Sequence, residues 1–139
     1  MSEIKQREEE LVAEFELFES WMEKYEYIIE LGKELPLLAE NEKSDDLLIE
    51  GCQSRVWLKT SGNASTIKFQ ADADAIITKG IIALLIRLVD NIDPKELVQY
   101  NFGVVQAIGL QEHLSPTRSN GLIGMIKRLK NEALKYCLS

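Results

Sequence analysis

The chain has 139 residues, which is enough for about one domain with a single hydrophobic core. It is 45% hydrophobic and 28% charged, as globular proteins commonly are. No apolar run approaches the roughly 20 residues needed to cross a bilayer, and the polar, acidic start MSEIKQREEE differs from a secretory signal. We therefore expect one domain over residues 1–139, no membrane association and a cytoplasmic location.

The net charge of −7 is unevenly placed along the chain. Residues 1–50 carry a large acidic excess, whereas residues 51–139 carry a small basic excess. An acidic protein without a basic cluster is a poor candidate for binding phosphate backbones, so we expect no nucleic-acid partner. The asymmetry fits a protein partner with a charged face, but two opposed solvated surfaces would give the same pattern. The sequence leaves both a monomer and a homodimer open.

The cysteines and the histidine restrict metal chemistry. Cys52 and Cys137 are the two cysteines and His113 is the single histidine, so the chain offers three nitrogen or sulfur ligands. Structural zinc sites and cysteine-ligated iron–sulfur clusters normally use four such ligands. We therefore expect no intrinsic metal and no resident cofactor. An intracellular setting also disfavours a structural disulfide.

The pattern of residues 1–50 predicts two helices followed by a loop. Apolar residues recur at helical spacing over 11–18, with glutamates between them. Ser20 and Glu23 form a capping-box pattern, which predicts that a second helix starts there. That helix should end near Gly32 to Pro36, where glycine and proline stop it.

The middle of the chain predicts a small antiparallel sheet. Residues 55–60 and 65–71 alternate in hydrophobicity, and Gly62-Asn63 between them is typical of a tight hairpin turn. A third short strand is expected at 47–50. Residues 51–54 would then form a connecting loop that projects a side chain at a tight bend, because Gly51 permits positive φ.

The remainder of the chain predicts helices. Residues 73–90 carry an apolar face broad enough to cover a sheet, and Asp74 is expected to cap that helix. Asp93-Pro94 and Ser115-Pro116 each place proline at the start of a further helix. Cys137 continues the apolar stripe of the last helix, where it fits as a small hydrophobe. The order of elements predicts an α+β fold in which helices pack on one face of a three-stranded antiparallel sheet.

Cys52 lies outside the core pattern and is the candidate nucleophile. It follows Gly51 in a polar tetrapeptide, and it is either an incidental loop cysteine or a thiol displayed for chemistry. The chemical role needs a thiolate, which loop N–H groups and the nearby Arg55 would favour. Glu50 would oppose it if its side chain pointed the same way. From the residues alone both interpretations stay open.

His113 and Arg118 are the other candidate site residues. His113 could orient or deprotonate a nucleophile if the fold brings it to Cys52, but it is also an ordinary structural or surface residue. Arg118 falls in the first turn of a helix, where the helix dipole does not favour a cation. That conflict indicates another role, such as an ion pair or an anion contact.

Four ordered segments resemble one family. The stretch GCQSRVWL at 51–58 resembles the cysteine loop of the SufE family, the sulfur-acceptor proteins that work beside group II cysteine desulfurases. The segments at 21–38 and 72–85 resemble that family's second helix and the stretch after its hairpin. HLSPTRSNGL at 113–122 resembles the opening of its final helix.

The resemblance implies a fold similar to that of iron–sulfur scaffold proteins, and it implies a reaction. Cys52 would accept persulfide sulfur from a desulfurase that carries pyridoxal phosphate, stimulate that enzyme, and pass the sulfur to an iron–sulfur cluster assembly scaffold complex. We expect no independent enzymatic activity from the acceptor itself. Gly51, Gln53, Arg55, His113 and Arg118 match or flank the family's motifs and are expected to support the thiol.

Three alternatives are retained at this stage. A sister branch of the family serves a different desulfurase, although Gln53-Ser54 and His113 favour the branch for cluster assembly. A hydrolase using Cys52 and His113 would need an orienting third residue and an oxyanion hole, neither of which the sequence identifies. The last alternative is a binding module in which the cysteine is incidental.

Overall fold

The computed structural model describes residues 3–35, 38–52 and 54–138. The helices and strands in these ranges follow the predicted order of two helices, a hairpin and further helices. They are α1 (Glu3–Glu16), α2 (Trp21–Lys33), β1 (Val56–Gly62), β2 (Ile67–Ala73), α3 (Ile76–Val89), α4 (Pro94–Gln99), α5 (Val104–Ala107) and α6 (Pro116–Cys137). Short 3₁₀ turns cover Glu40–Glu42, Asp45–Leu47 and Gln111–His113.

Helix α3 occupies the centre of the core. Its apolar residues repeat every three or four positions, and Ile81, Leu84, Leu85 and Leu88 are each at most 2% exposed. It packs against α2 and β2, and it also contacts α1 and α6. The predicted helix over 73–90 is therefore confirmed, with slightly narrower bounds.

Two glycines let α2 and α3 cross at very short distance. A Cβ placed on Gly80 would lie 2.2 Å from the carbonyl oxygen of Ile28, and one on Gly32 would lie 2.9 Å from the Gly80 nitrogen. Real Cβ atoms do not approach backbone so closely, so the crossing requires residues without side chains at both positions. Because α3 is central, this crossing also fixes where its first turn lies.

The two strands form an antiparallel hairpin whose apolar residues face α3. The register runs from Val56 opposite Ala73 to Gly62 opposite Ile67. Leu58, Phe69 and Ala71 are buried on the core side. The turn is longer than the predicted Gly62-Asn63 pair, because Gly62 still pairs in the sheet and Asn63 closes the turn with its own side chain.

The expected third strand does not form, so the sheet in the described residues has two strands instead of three. Leu47 completes the 3₁₀ turn Asp45–Leu47, which leaves little extended chain for pairing. Leu48 makes a single antiparallel bridge to Trp57, and the Ile49 N–H donates to the Val56 carbonyl at 2.9 Å. Gly51, with φ of +91°, then turns the chain away from the sheet edge.

The predicted helix starts are confirmed where side chains cap them. Ser20 accepts a hydrogen bond from the Glu23 N–H at 3.2 Å at the start of α2. Ser115 does the same for the Arg118 N–H at 3.3 Å at the start of α6. In the described part of the chain, no helix combines the length and the apolar character that a bilayer crossing requires.

We expect Gly80→Ala to lower the free energy of unfolding by about 1–3 kcal/mol, because the new methyl group must displace the Ile28 backbone. Gly121→Ala in α6 is the matched control, since its Cβ would come no closer than 3.5 Å to another group. Alanine favours helix over glycine, so the control should be neutral or slightly stabilising. Urea unfolding curves of the three proteins test this, and equal midpoints would refute the tight crossing.

Candidate functional site

The loop that carries Cys52 rests on a glycine-lined face of α6. A Cβ on Gly124 would lie 2.5 Å from the carbonyl oxygen of Glu50, and one on Gly121 would lie 3.5 Å from the Cys52 Sγ. At Gly124 the loop backbone therefore approaches α6 more closely than any side chain would allow. Gly51 takes the positive φ that the sequence predicted for the bend.

The Cys52 thiol is partly buried and protonated at rest. Its Sγ donates a hydrogen bond to the Gly121 carbonyl at 3.6 Å, a contact that only the neutral thiol makes. Burial raises the pKa of the Cys52 thiol above its ordinary value. The resting geometry therefore protects the sulfur and suppresses its nucleophilicity.

A cavity of about 370 Å³ opens beside the thiol. Its walls come from the loop and from the N-terminal halves of two helices, α3 and α6. Backbone N–H groups at helix starts favour negative charge. The described lining residues are Cys52, Ser54, Asp74, Ala75, Thr78, Ile81, Arg118, Gly121 and Met125.

Asp74 fastens the far end of the loop instead of capping α3. Helix α3 begins after Ala75, which makes no side-chain capping bond, so the expected capping role of Asp74 is wrong. The Asp74 carboxylate accepts a hydrogen bond from the Arg55 N–H at 2.9 Å, and the Asp74 N–H donates to the Arg55 carbonyl at 3.1 Å. Next to this pair, the Ser54 hydroxyl donates to Thr78 Oγ1 at 3.0 Å.

Arg55 contributes to this arrangement through its backbone. Its side chain is exposed, and it is not among the described residues that line the cavity. The structure therefore gives a different role to Arg55 from the predicted one of a cation beside the thiol. Gln53, the other predicted loop residue, lies outside the described residues.

Arg118 lies at the cavity. Its terminal nitrogen Nη1 donates to the Tyr25 hydroxyl at 2.9 Å, which holds the guanidinium against α2. Among the described residues, no carboxylate lies within ion-pair distance of it. A cation at a helix start without a carboxylate partner is suited to an anionic ligand.

His113 is placed away from the cavity, on the surface of α2. Its ring stacks on Trp21 with 3.9 Å between centroids and 19° between planes. Its Nδ1 hydrogen-bonds the Gly109 carbonyl at 2.9 Å. His113 is not one of the described residues around the cavity, so the structure brings Arg118 to Cys52 but not His113. The ring instead anchors the chain just before α6.

Several residues of the site were not identified from the sequence. Tyr25, Thr78, Gly121 and Gly124 carry no motif of their own, and their role follows from contacts between distant elements. The three-residue spacing of Gly121 and Gly124 is the one available signal, because it places two small residues on one face of α6. Within the described ranges, no group of three or more His, Cys, Asp or Glu side chains could hold a metal ion.

Cys137 lies at the opposite end of α6 from the cavity. Both cysteines are free and partly buried. Gly121, which touches Cys52, and Cys137 are separated by about 24 Å of helix at 1.5 Å per residue. The second thiol therefore provides an internal control for chemistry at the first.

We expect Asp74→Ala to raise the rate at which iodoacetamide alkylates Cys52 by about fivefold, because loss of one loop hydrogen bond favours loop opening. Asp45→Ala, at an exposed aspartate outside the cavity, is the matched control. Peptide mass spectrometry reads Cys52 and Cys137 separately in one sample. An unchanged Cys52 rate in Asp74→Ala would show that this contact does not restrain the loop.

One solved structure shows the same fold. The solution structure of a hypothetical protein from Thermus thermophilus matches with a TM-score of 0.78, covering 96% of this chain and 97% of that one. The sequences are 16% identical, so this match establishes the architecture and nothing about activity.

The family model for the SufE domain, described as an Fe-S metabolism associated domain, matches residues 9–133. This range includes the Cys52 loop, the hairpin, the cavity walls and most of α6. It thus covers all four segments on which the resemblance was based. The chain belongs to the SufE family, the family of this domain of iron–sulfur metabolism.

Proposed function

We propose that Cys52 is a persulfide acceptor, which takes sulfur from a partner cysteine desulfurase, stimulates it and passes the sulfur to an iron–sulfur scaffold complex. The observation that carries the proposal is the position of the Cys52 sulfur on the wall of a cavity between two helix starts, with Arg118 beside it. The cavity offers room for one further sulfur atom and groups that stabilise its charge. Family membership supports the choice of partner.

The proposed step is a displacement at sulfur. The Cys52 thiolate attacks the outer sulfur of the desulfurase persulfide, a new sulfur–sulfur bond forms on Cys52, and the desulfurase cysteine leaves as a thiolate. No net oxidation or reduction occurs. Pyridoxal phosphate stays on the desulfurase, and the acceptor needs no cofactor of its own for this step. Removing the product sulfur frees the desulfurase for its next turnover.

The supporting residues act through position and charge. Gly51 provides the bend, and the Arg55 backbone provides the attachment to Asp74. Arg118 faces the sulfur anion once it forms. His113 acts indirectly, because its stacking on Trp21 fixes the start of α6. This placement gives no support to a hydrolase that would use His113 as a base.

Binding of the desulfurase must expose and ionise the Cys52 thiol, since the resting sulfur is protonated and partly buried. We infer that the loop moves outward when the desulfurase binds. This movement breaks the hydrogen bond to Gly121 and brings the thiol into surroundings that favour its thiolate form. Ile76, at the first turn of α3 next to the cavity, is 69% exposed and offers an apolar contact for such a partner. The sister-branch desulfurase remains the second candidate for that partner.

We expect Cys52→Ser to abolish stimulation of the desulfurase while leaving its binding largely intact, because serine keeps the shape of the loop but cannot form a persulfide. Cys137→Ser is the matched control and should behave like the unmodified protein. The assay mixes each protein with a cognate desulfurase and L-cysteine, and maps added sulfur by peptide mass spectrometry. Normal stimulation by Cys52→Ser, or sulfur found on Cys137 alone, would contradict the assignment.

The pH dependence of Cys52 alkylation tests loop movement. For the protein alone, we expect the alkylation rate to rise with pH through a midpoint above the ordinary pKa of a cysteine thiol, because burial disfavours the thiolate. Adding a desulfurase that lacks its own persulfide cysteine should lower this midpoint and raise the rate at neutral pH. The same midpoint and rate with and without the partner would argue against a moving loop.

A further inference from the structure

We propose that the Cys52 cavity also binds a small zwitterionic amino-acid thiol of the cysteine class and exchanges sulfur with it. This inference rests on the proposed function in one respect, namely that Cys52 carries a persulfide. It adds a second substrate class to the same site, a free amino acid in addition to a partner protein.

Two opposite charges on the cavity wall carry the inference. Arg118 and Asp74 both line the cavity, and neither makes an ion pair with any described residue. Arg118 uses Nη1 for the Tyr25 hydroxyl, and its other N–H groups have no hydrogen-bond partner among the described residues. Asp74 uses Oδ1 for the Arg55 N–H, and no described residue donates to its Oδ2.

A free α-amino acid matches this pair of charges. Its carboxylate is the usual partner of an arginine guanidinium, and its ammonium group is a partner for an aspartate. Ile81 and Met125 give the cavity an apolar wall against which a short side chain packs. The volume of about 370 Å³ falls within the roughly 300–1,000 Å³ typical of small-molecule sites.

The thiol of such a ligand would lie in the same cavity as the Cys52 sulfur. In the exchange, the ligand thiolate attacks the outer sulfur of the Cys52 persulfide and forms a new sulfur–sulfur bond. The bond to Cys52 breaks, and Cys52 leaves as a thiolate that takes a proton. Sulfur keeps its oxidation state throughout, so no oxidant or reductant is consumed. The reverse reaction loads Cys52 from an amino-acid persulfide without a desulfurase.

The binding step is tested with L-serine, the hydroxyl analogue of cysteine, which cannot exchange sulfur. Alkylation of Cys52 is measured with and without L-serine, N-acetyl-L-serine, which lacks the ammonium charge, and ethanolamine, which lacks the carboxylate. We expect L-serine to protect Cys52 and the other two to protect it about two- to fivefold less well, the contribution of one exposed charge contact. Lys127→Gln, at an exposed site on α6, is the control for general charge effects.

Measuring L-serine protection of Cys52 in variants tests which charged residues bind the ligand. Arg118→Gln and Asp74→Asn should each lose protection by L-serine about fivefold, while Lys127→Gln keeps it. Asp74→Asn retains an oxygen that accepts from the Arg55 N–H, so the loop attachment is kept. Rates with and without L-serine are compared within each variant, which cancels changes in the intrinsic reactivity of Cys52.

The exchange step is tested on the Cys52 persulfide itself, prepared with an inorganic polysulfide. Loss of the added sulfur is followed with L-cysteine, N-acetyl-L-cysteine or cysteamine as the attacking thiol. In Arg118→Gln, the ratio of the rate with L-cysteine to the rate with cysteamine, which lacks the carboxylate, should fall about fivefold. In Asp74→Asn, the ratio of the rate with L-cysteine to the rate with N-acetyl-L-cysteine, which lacks the ammonium charge, should fall by a similar factor.

The outcomes separate this inference from the proposed function. Equal protection by all three serine analogues, or rate ratios unchanged in both variants, would overturn the inference while desulfurase loading of Cys52 proceeds normally. If a desulfurase fails to load Cys52 but L-serine still protects it selectively, amino-acid binding is supported and the proposed partner is wrong.

Discussion

The site depends on the close contact between the Glu50 carbonyl and Gly124, because this contact seats the cysteine loop on α6. No residue with a side chain allows backbone to come so near a helix. The α2–α3 crossing at Gly32 and Gly80 likewise depends on glycines without side chains. The two contacts position α6 and α3, the helices that line the cavity beside Cys52.

Two opposing electrostatic effects act on the Cys52 sulfur. Burial and the Gly121 carbonyl favour the neutral thiol, whereas the helix starts and Arg118 favour an anion in the cavity next to it. The two protonation states of the sulfur are therefore favoured by different surroundings, the neutral thiol by the buried position and the thiolate by the cavity. An acceptor of this kind would be unreactive alone and reactive in a complex, which fits membership of a family whose proposed partner supplies the sulfur.

Local patterns in the sequence predicted most of the fold, because caps, periodicity and turn residues act within a few positions. Ser20, Asp93 and Ser115 mark helix starts that the structure confirms. The third strand was wrong because a four-residue segment does not reveal that its first residue, Leu47, belongs to a 3₁₀ turn. The cavity could not be predicted, since its contacts join distant residues, with Tyr25 and Arg118 lying 93 positions apart. Gly51 and Cys52 were noticed because both fall outside the core pattern, and the resemblance of residues 51–58 to the SufE cysteine loop gave Cys52 its predicted role.

The length of α6 has a consequence for the fate of sulfur on Cys52. Disulfide formation requires Cα atoms within roughly 7 Å, and Cys137 lies at the far end of the helix that Cys52 touches. In the proposed reaction, Cys137 is therefore too distant to attack the Cys52 Sγ, form a disulfide with it and expel the added sulfur as hydrogen sulfide. On this proposal, the sulfur would leave Cys52 only when a nucleophile from another molecule enters the cavity, so access to the cavity would set the lifetime of the persulfide.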